Sequence, residues 1–165
     1  MAERKAASSP GVRRNILIKI APTIPLLNPH GRKSTRGIGV FLPVKTCLVV
    51  DDSRVIRKVA RRILEDLGFE IAEASDGMEA MAWCRTSMPE AILLDWNMPV
   101  MDGLIFLRAL RKEPDGHSPV VVFCTVENDL EHITQALEAG ADEYIMKPFD
   151  GDILEAKFAE AGLVA

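Results

Sequence analysis

The chain has 165 residues, 48% hydrophobic and 27% charged, an ordinary composition for a soluble globular protein with one domain as the default. Its net charge of −4 divides unevenly, because residues 1–45 hold nine Lys/Arg and one acid while residues 46–165 hold 11 and 23, a split of +8 against −12. An acidic folded part argues against direct DNA binding, which needs a basic face, and Ile16 to Leu27, broken by Lys19, Pro22 and Pro25, argues against membrane insertion or a signal-peptide core.

Residues 1–44 show no sustained period and carry Pro10, Pro22, Pro25, Pro29 and Pro43, so a disordered basic leader is expected there. Two readings stand beside that one. The acid-poor, Arg-rich character resembles an organellar transit peptide, and a basic tail could anchor the domain to anionic partners. No Met occurs between Met1 and Met78, and a GTG start codon at Val44 would be written as Val if the start had been placed too far upstream. Residues 1–43 are therefore expected not to belong to the functional protein.

From Thr46 short apolar runs alternate with helical patterns. The strands are predicted at Thr46 to Val50, Phe69 to Ala74, Ala91 to Leu94, Val120 to Cys124 and Glu143 to Met146. Helices are predicted at Arg54 to Leu67, Gly77 to Thr86, Gly103 to Arg111, Asp129 to Ala139 and Asp152 to Ala161, with Gly68 and Gly140 as left-handed stops. Five β-α units with right-handed crossovers give an α/β fold, a doubly wound five-stranded parallel sheet. In the first helix Val55, Ile56, Val59, Ala60, Ile63, Leu64 and Leu67 fall on one half of the wheel, and Arg54, Arg57, Lys58, Arg61 and Arg62 on the other, which is expected to face solvent. Cys47, Cys84 and Cys124 are far apart in apolar surroundings, as expected of reduced, buried thiols in the cytoplasm.

In open α/β sheets ligands gather at the carboxyl ends of the strands. There the chain places Asp51 and Asp52, then Asp95, then Thr125, then Lys147. Three carboxylates in one cleft repel one another unless a hard cation intervenes, and Mg²⁺ suits a few carboxylates plus a phosphoryl oxygen. Taken singly, each acid is better read as a helix cap or turn residue, Asp51 or Asp52 capping the first helix. Lys147 alone reads as a solvated head and Thr125 as a cap. Their joint placement favours a site.

The series Val49-Val50-Asp51-Asp52-Ser53, Leu93-Leu94-Asp95-Trp96-Asn97-Met98-Pro99-Val100-Met101-Asp102-Gly103, Phe123-Cys124-Thr125 and Tyr144-Ile145-Met146-Lys147-Pro148-Phe149 resembles the receiver domain of two-component response regulators, the CheY-like family, over residues 45–163. The resemblance implies a flavodoxin-like strand order 2-1-3-4-5 and Mg²⁺-dependent phosphorylation of Asp95. It also implies a metal held by Asp51, Asp52, Asp95 and the backbone carbonyl of Asn97, with Lys147 and Thr125 assisting. A cis Lys147–Pro148 bond and a Thr125–Tyr144 switch that reshapes the face of the fourth helix, fifth strand and fifth helix are further implications. The implied phosphodonor is a histidine kinase or a histidine phosphotransfer protein, and the implied protein is no multiple-turnover enzyme.

Val126 departs from the small residue usual after the Thr in that family and is expected to narrow access to the phosphoryl group. Asn97 and Glu127 resemble the polar pair of fast-cycling receivers. The basic half of the first helix is either a solvated face or a landing site for an acidic partner. Only Gly162 to Ala165 follow the last helix, so the output is expected from a partner, the chain acting in chemotaxis-like motor control, or as a phosphorelay shuttle or nucleotide-responsive receiver without motor output. Two other classes remain open: a haloacid-dehalogenase-like phosphohydrolase, which wants an acid where Asn97 stands, and a flavodoxin-like cofactor binder, which wants a Gly-rich loop where Asp52-Ser53-Arg54 stands.

Overall fold

The computed structural model describes residues 44–126 and 130–165. The expectations for the leader and its start, for Glu127 and for a helix beginning at Asp129 lie outside the described residues. The elements run β1 (Thr46–Val50), α1 (Arg54–Asp66), β2 (Glu70–Ala74), α2 (Gly77–Thr86), β3 (Ala91–Asp95), α3 (Gly103–Leu110), β4 (Val120–Thr125), α4 (Leu130–Glu138), β5 (Glu143–Met146) and α5 (Gly151–Glu160). All four strand pairings are parallel, in the order β2-β1-β3-β4-β5. The expected doubly wound, flavodoxin-like sheet is what forms.

Strand alternation sorts the core into two layers. Cys47 and Val49 of β1, Leu93 of β3, Val122 and Cys124 of β4 and Ile145 of β5 pack with Ala60 and Leu64 of α1 and Leu154 and Phe158 of α5. Leu48 and Val50, Ile92 and Leu94, and Val121 and Phe123 point the other way, onto α2, α3 and Ala136 of α4. β1, β3 and β4 are covered on both faces, which is why those runs read as continuously apolar. All three cysteines are free and buried. Burial pushes the Cys47 and Cys124 thiols up to about 12 and Cys84 up to about 11, so none offers a thiolate near neutral pH.

Gly68 and Gly140 adopt φ of +90° and +103°, the left-handed conformation expected at the stops of α1 and α4. The first helix settles one alternative and corrects one expectation. Its cap is Ser53, whose hydroxyl accepts from the Ile56 amide at 3.4 Å; Asp51 and Asp52 are left for other work. Nor does its basic half simply face water. Arg57 has only 15% of its side chain exposed, bonded to Glu73 of β2, whereas Val55 on the apolar half is 70% exposed. Glu73 draws Arg57 inward, and Val55 stands in the first turn, at the carboxyl edge of the sheet.

Arg111, just past α3, was not singled out by the sequence, yet its side chain is 9% exposed. Its guanidinium donates to the carbonyls of Gly116 (2.8 Å), Pro119 (3.0 Å) and Gly140 (3.0 Å) and to Asp142 (3.1 Å), tying two loops to the end of the helix. Arg111→Met is expected to cost about 3 kcal/mol, because it strands several poorly hydrated acceptors at once. Arg111→Lys should recover little, since an ammonium lacks the planar fork. Urea unfolding of the three proteins checks this, and a loss below about 1 kcal/mol, the net value of an ordinary single hydrogen bond, would refute it.

Val100 carries the opposite kind of information. It is 82% exposed with φ of +68°, a conformation that crowds a β-branched side chain. Val100→Asn is expected to stabilise the fold by about 1 kcal/mol, read as a higher urea midpoint at unchanged slope.

Candidate functional site

Four strand ends converge above the sheet. Asp51 directly follows β1, Asp95 and Thr125 close β3 and β4, and Lys147 directly follows β5. Asp51, Asp95 and Thr125 are the buried polar residues among those described, while Asp52 is exposed. One carboxylate oxygen from each of Asp51, Asp52 and Asp95 lies within 4.8 Å of the others.

The Lys147 Nζ donates to Asp51 Oδ2 at 2.6 Å and to Asp95 Oδ1 at 2.7 Å, with 12% of the side chain exposed. The other Asp51 oxygen accepts from the Ser53 amide at 2.8 Å. Burial pushes the Asp95 carboxyl above its ordinary value, and the charges of Asp51 and Asp52 add to this, outweighing the opposing contact with Lys147. Burial alone would lower the Lys147 ammonium, but its hydrogen bonds to Asp51 and Asp95 and the nearby charge carry it above its usual value. Three carboxylates and one ammonium leave two negative charges, which a divalent oxygen-seeking cation balances.

The backbone under the site is pinned from several directions. The Lys147 amide donates to the Thr125 carbonyl at 2.8 Å, the Trp96 amide to Cys124 at 3.1 Å, and the Gly103 amide to Trp96 at 2.9 Å. A Cβ at Gly103 would collide with the Asp95 carbonyl, so glycine lets α3 begin directly beneath the acid. The Trp96 ring packs on Phe123 at 5.1 Å and, edge-on, on His132 of α4 at 4.8 Å, linking the loop after Asp95 to that helix.

Asp51, Asp52, Asp95 and Lys147 are thus brought together as expected, with Thr125 at the adjoining strand end. Asn97 is exposed in the loop after β3. Tyr144 stands apart from the cluster, inside β5 opposite Phe123, half-buried against the α2/α3/α4 core, with Lys157 Nζ 5.7 Å from its ring centroid. The Lys147–Pro148 bond is cis, and Val126 is 61% exposed beside Thr125. Sequence reasoning missed Glu73, Arg111 and His132 as partners of this architecture. The one signal for Glu73 was an acid in the second strand with Arg57 and Arg61 spaced one turn apart on the preceding helix.

The profile of the response regulator receiver domain matches residues 47–159. The chain is 36% identical over 111 residues to the chemotaxis protein CheY of Pseudomonas aeruginosa, covering 67% of this chain and 90% of that one. It is also 38% identical over 113 residues to the probable transcriptional regulator ycf27 of Cyanophora paradoxa, covering 68% of this chain but 46% of that longer one. Among solved structures, chemotaxis response regulator CheY4 of Vibrio cholerae matches with a TM-score of 0.69 at 31% identity over 72% of this chain and 99% of that one. The CheX–CheY–BeF3–Mg²⁺ complex from Borrelia burgdorferi matches with a TM-score of 0.67 at 26% identity over 72% and 89%. The chain belongs to the response-regulator receiver family, and its function is that of a phosphoryl-accepting receiver in two-component signal transduction. Among the described residues no helix is long and apolar enough to cross a membrane.

Proposed function

We propose that Asp95 accepts the phosphoryl group, with Mg²⁺ held by Asp51, Asp52, Asp95 and the backbone carbonyl of Asn97. The observation that carries this is the Lys147 ammonium bonded to Asp51 and Asp95 at 2.6 and 2.7 Å, with a third carboxylate alongside. A carboxylate set of this kind fits a hard divalent ion, and the Borrelia relative is a Mg²⁺ complex. The ion supplies charge neutralisation for the phosphoryl oxygens.

The donor is a phosphohistidine on a histidine kinase or histidine phosphotransfer protein. An Asp95 carboxylate oxygen forms the new P–O bond while the P–N bond to the donor breaks. The bonding pair stays on the imidazole nitrogen, which keeps or takes up a proton, leaving an acyl phosphate on Asp95. Lys147 then turns from the carboxylates to the new phosphoryl oxygens, and the Thr125 hydroxyl donates to the same group. With Lys147 pulling on β5 and Thr125 drawn inward, Tyr144 changes rotamer and the face formed by α4, β5 and α5 is reshaped for a downstream protein. The protein is a cytoplasmic switch, consistent with its three free thiols, and no multiple-turnover enzyme.

Incubation with acetyl phosphate and Mg²⁺, followed by intact mass, tests the reading. One added phosphoryl group mapping to Asp95, without sustained phosphate release, is the expected outcome. Labelling elsewhere, or continuous turnover, would reject it.

A further inference from the structure

Asp52 is the one exposed carboxylate of the metal set, and its side chain makes no hydrogen bond or ion pair among the described residues. Something must nevertheless aim it, because a ligand free to rotate contributes little affinity. The backbone on both sides of Asp52 is held by a single side chain. Arg57, one turn into α1, donates from one terminal nitrogen to the Asp51 carbonyl at 2.7 Å and to the Asp52 carbonyl at 3.2 Å. Those two carbonyls belong to the peptide planes that flank Asp52, so fixing them fixes the direction of its Cα–Cβ bond.

Arg57 is itself oriented. Its Nε donates to Glu73 Oε2 at 3.0 Å, the other Glu73 oxygen accepts from Arg61 Nε at 2.6 Å, and Arg61 reaches Glu65 at 3.0 Å. Burial alone would raise the Glu73 carboxyl, but the hydrogen bonds from Arg61 and Arg57 and their charges hold it below its ordinary value, so it stays an anion that can fix both guanidiniums. The same loop is anchored at the Asp51 amide, which donates to Ala74 at 3.1 Å, and at the Asp51 carboxylate by the Ser53 amide. Arg57 supplies the remaining restraint, holding the plane before Asp52 through the Asp51 carbonyl and sharing the plane after it with the Ser53 amide.

We infer that Arg57, oriented by Glu73, is a positioning residue for the metal site, aiming the Asp52 carboxylate by holding the two peptide planes around it. This rests on the Mg²⁺ site proposed above and names a device within it. Positioning and plain electrostatics act on Mg²⁺ binding with opposite signs. A guanidinium behind a cation site repels the cation, so charge alone predicts that removing it tightens Mg²⁺ binding. Positioning predicts the reverse. Lysine separates the two again, because it keeps the charge but offers a compact head that cannot serve Glu73 and both carbonyls in one plane.

The experiment is calorimetric titration of the full chain with MgCl2 for wild type, Arg57→Met and Arg57→Lys, with urea unfolding of each metal-free protein beside it. Both variants are expected to bind Mg²⁺ more weakly, by the 10- to 100-fold typical of lost outer-shell partners (roughly, and less for Lys if it keeps one carbonyl). The Mg²⁺ concentration giving half-maximal labelling by acetyl phosphate should rise by the same factor while the rate at saturating Mg²⁺ stays near wild type, a split that a general loss of stability does not produce. If Arg57→Met fails to fold, Arg57→Lys carries the test alone. Wild type that binds Mg²⁺ beside a folded variant that binds as tightly or more tightly overturns the inference by itself. Wild type that binds no Mg²⁺ overturns the proposed metal site, and this inference with it.

Discussion

Asp95→Asn is expected to take up no phosphoryl group from acetyl phosphate and Mg²⁺, and yet to resist urea better than the wild type when both are free of metal. The first half follows from the nucleophile: an amide oxygen is too weak to attack phosphorus, and no other described carboxylate is bonded to Lys147 except Asp51, one of whose oxygens the Ser53 amide already holds. The second half follows from linkage. Burial, with the charges of Asp51 and Asp52, raises the folded-state pKa of Asp95 above 3.8 despite Lys147. An acid with a raised folded pKa binds more protons folded than unfolded, so its favourable contribution is present below the unfolded value and is lost as pH rises through the folded one. At neutral pH the wild type bears the whole penalty, whereas asparagine removes the charge and can still accept from Lys147. The stability difference should therefore be fully developed at pH 7 and vanish below the ordinary Asp value. Added Mg²⁺ should stabilise the wild type preferentially, because it binds the folded state through a complete ligand set. Equal labelling of the two proteins would remove Asp95 as acceptor, and a less stable variant at neutral pH without metal would remove the argument from burial.

That a residue assigned to chemistry should weaken the fold bears on which parts of the protein could be read from its sequence. The fold was legible because the period changes cleanly: Val120 to Cys124, a short β-branched run apolar throughout, reads as a covered strand, and the pattern ending at Gly68 reads as a helix with a left-handed stop. The convergence of Asp51, Asp95, Thr125 and Lys147 was legible because a parallel sheet gathers strand ends, although each residue alone read as a cap or a solvated head and only their joint placement and the motif resemblance pointed to chemistry. Side chains that reach backbone acceptors were not legible. Arg111 is charged, sits after a helix and reads as solvated, and its three carbonyl partners come from loops whose path is a product of the whole fold. Ser53 outcompeted Asp51 and Asp52 for the cap because the acids face the cleft. The helical wheel misplaced Arg57 and Val55 for a related reason. It treats the covering surface as uniformly apolar, whereas β2 presents Glu73 to α1 and the sheet ends below the first turn. The positive φ of Val100 has no sequence signal at all, since a β-branched residue is a poor choice for that conformation.

Lys147→Ala is expected to separate metal binding from switching. In the metal-free protein the ammonium holds Asp51 and Asp95 together with little of its side chain exposed. Its removal leaves two buried like charges facing each other, a change expected to cost about 3 kcal/mol. Mg²⁺ can occupy the same electrostatic role without competing for the carboxylate oxygens, so the variant should recover most of that loss in excess MgCl2 and bind the ion at least as tightly as wild type. Phosphoryl transfer to Asp95 should slow but persist, because the nucleophile and the metal ligands remain. What should fail is the response of Tyr144. Lys147 joins the site to β5, with its amide on the Thr125 carbonyl and its side chain among the acids, and it is the group that would pull on the strand when a phosphoryl group forms. Tyr144 is the chain's only tyrosine, so its ring resonances report the β5 side of the α4/β5/α5 face without ambiguity. In the wild type they should shift on phosphorylation, and in phosphorylated Lys147→Ala they should stay at their unphosphorylated positions. A full wild-type shift in the labelled variant would show that the phosphoryl group reaches Tyr144 by another route, through Thr125 alone.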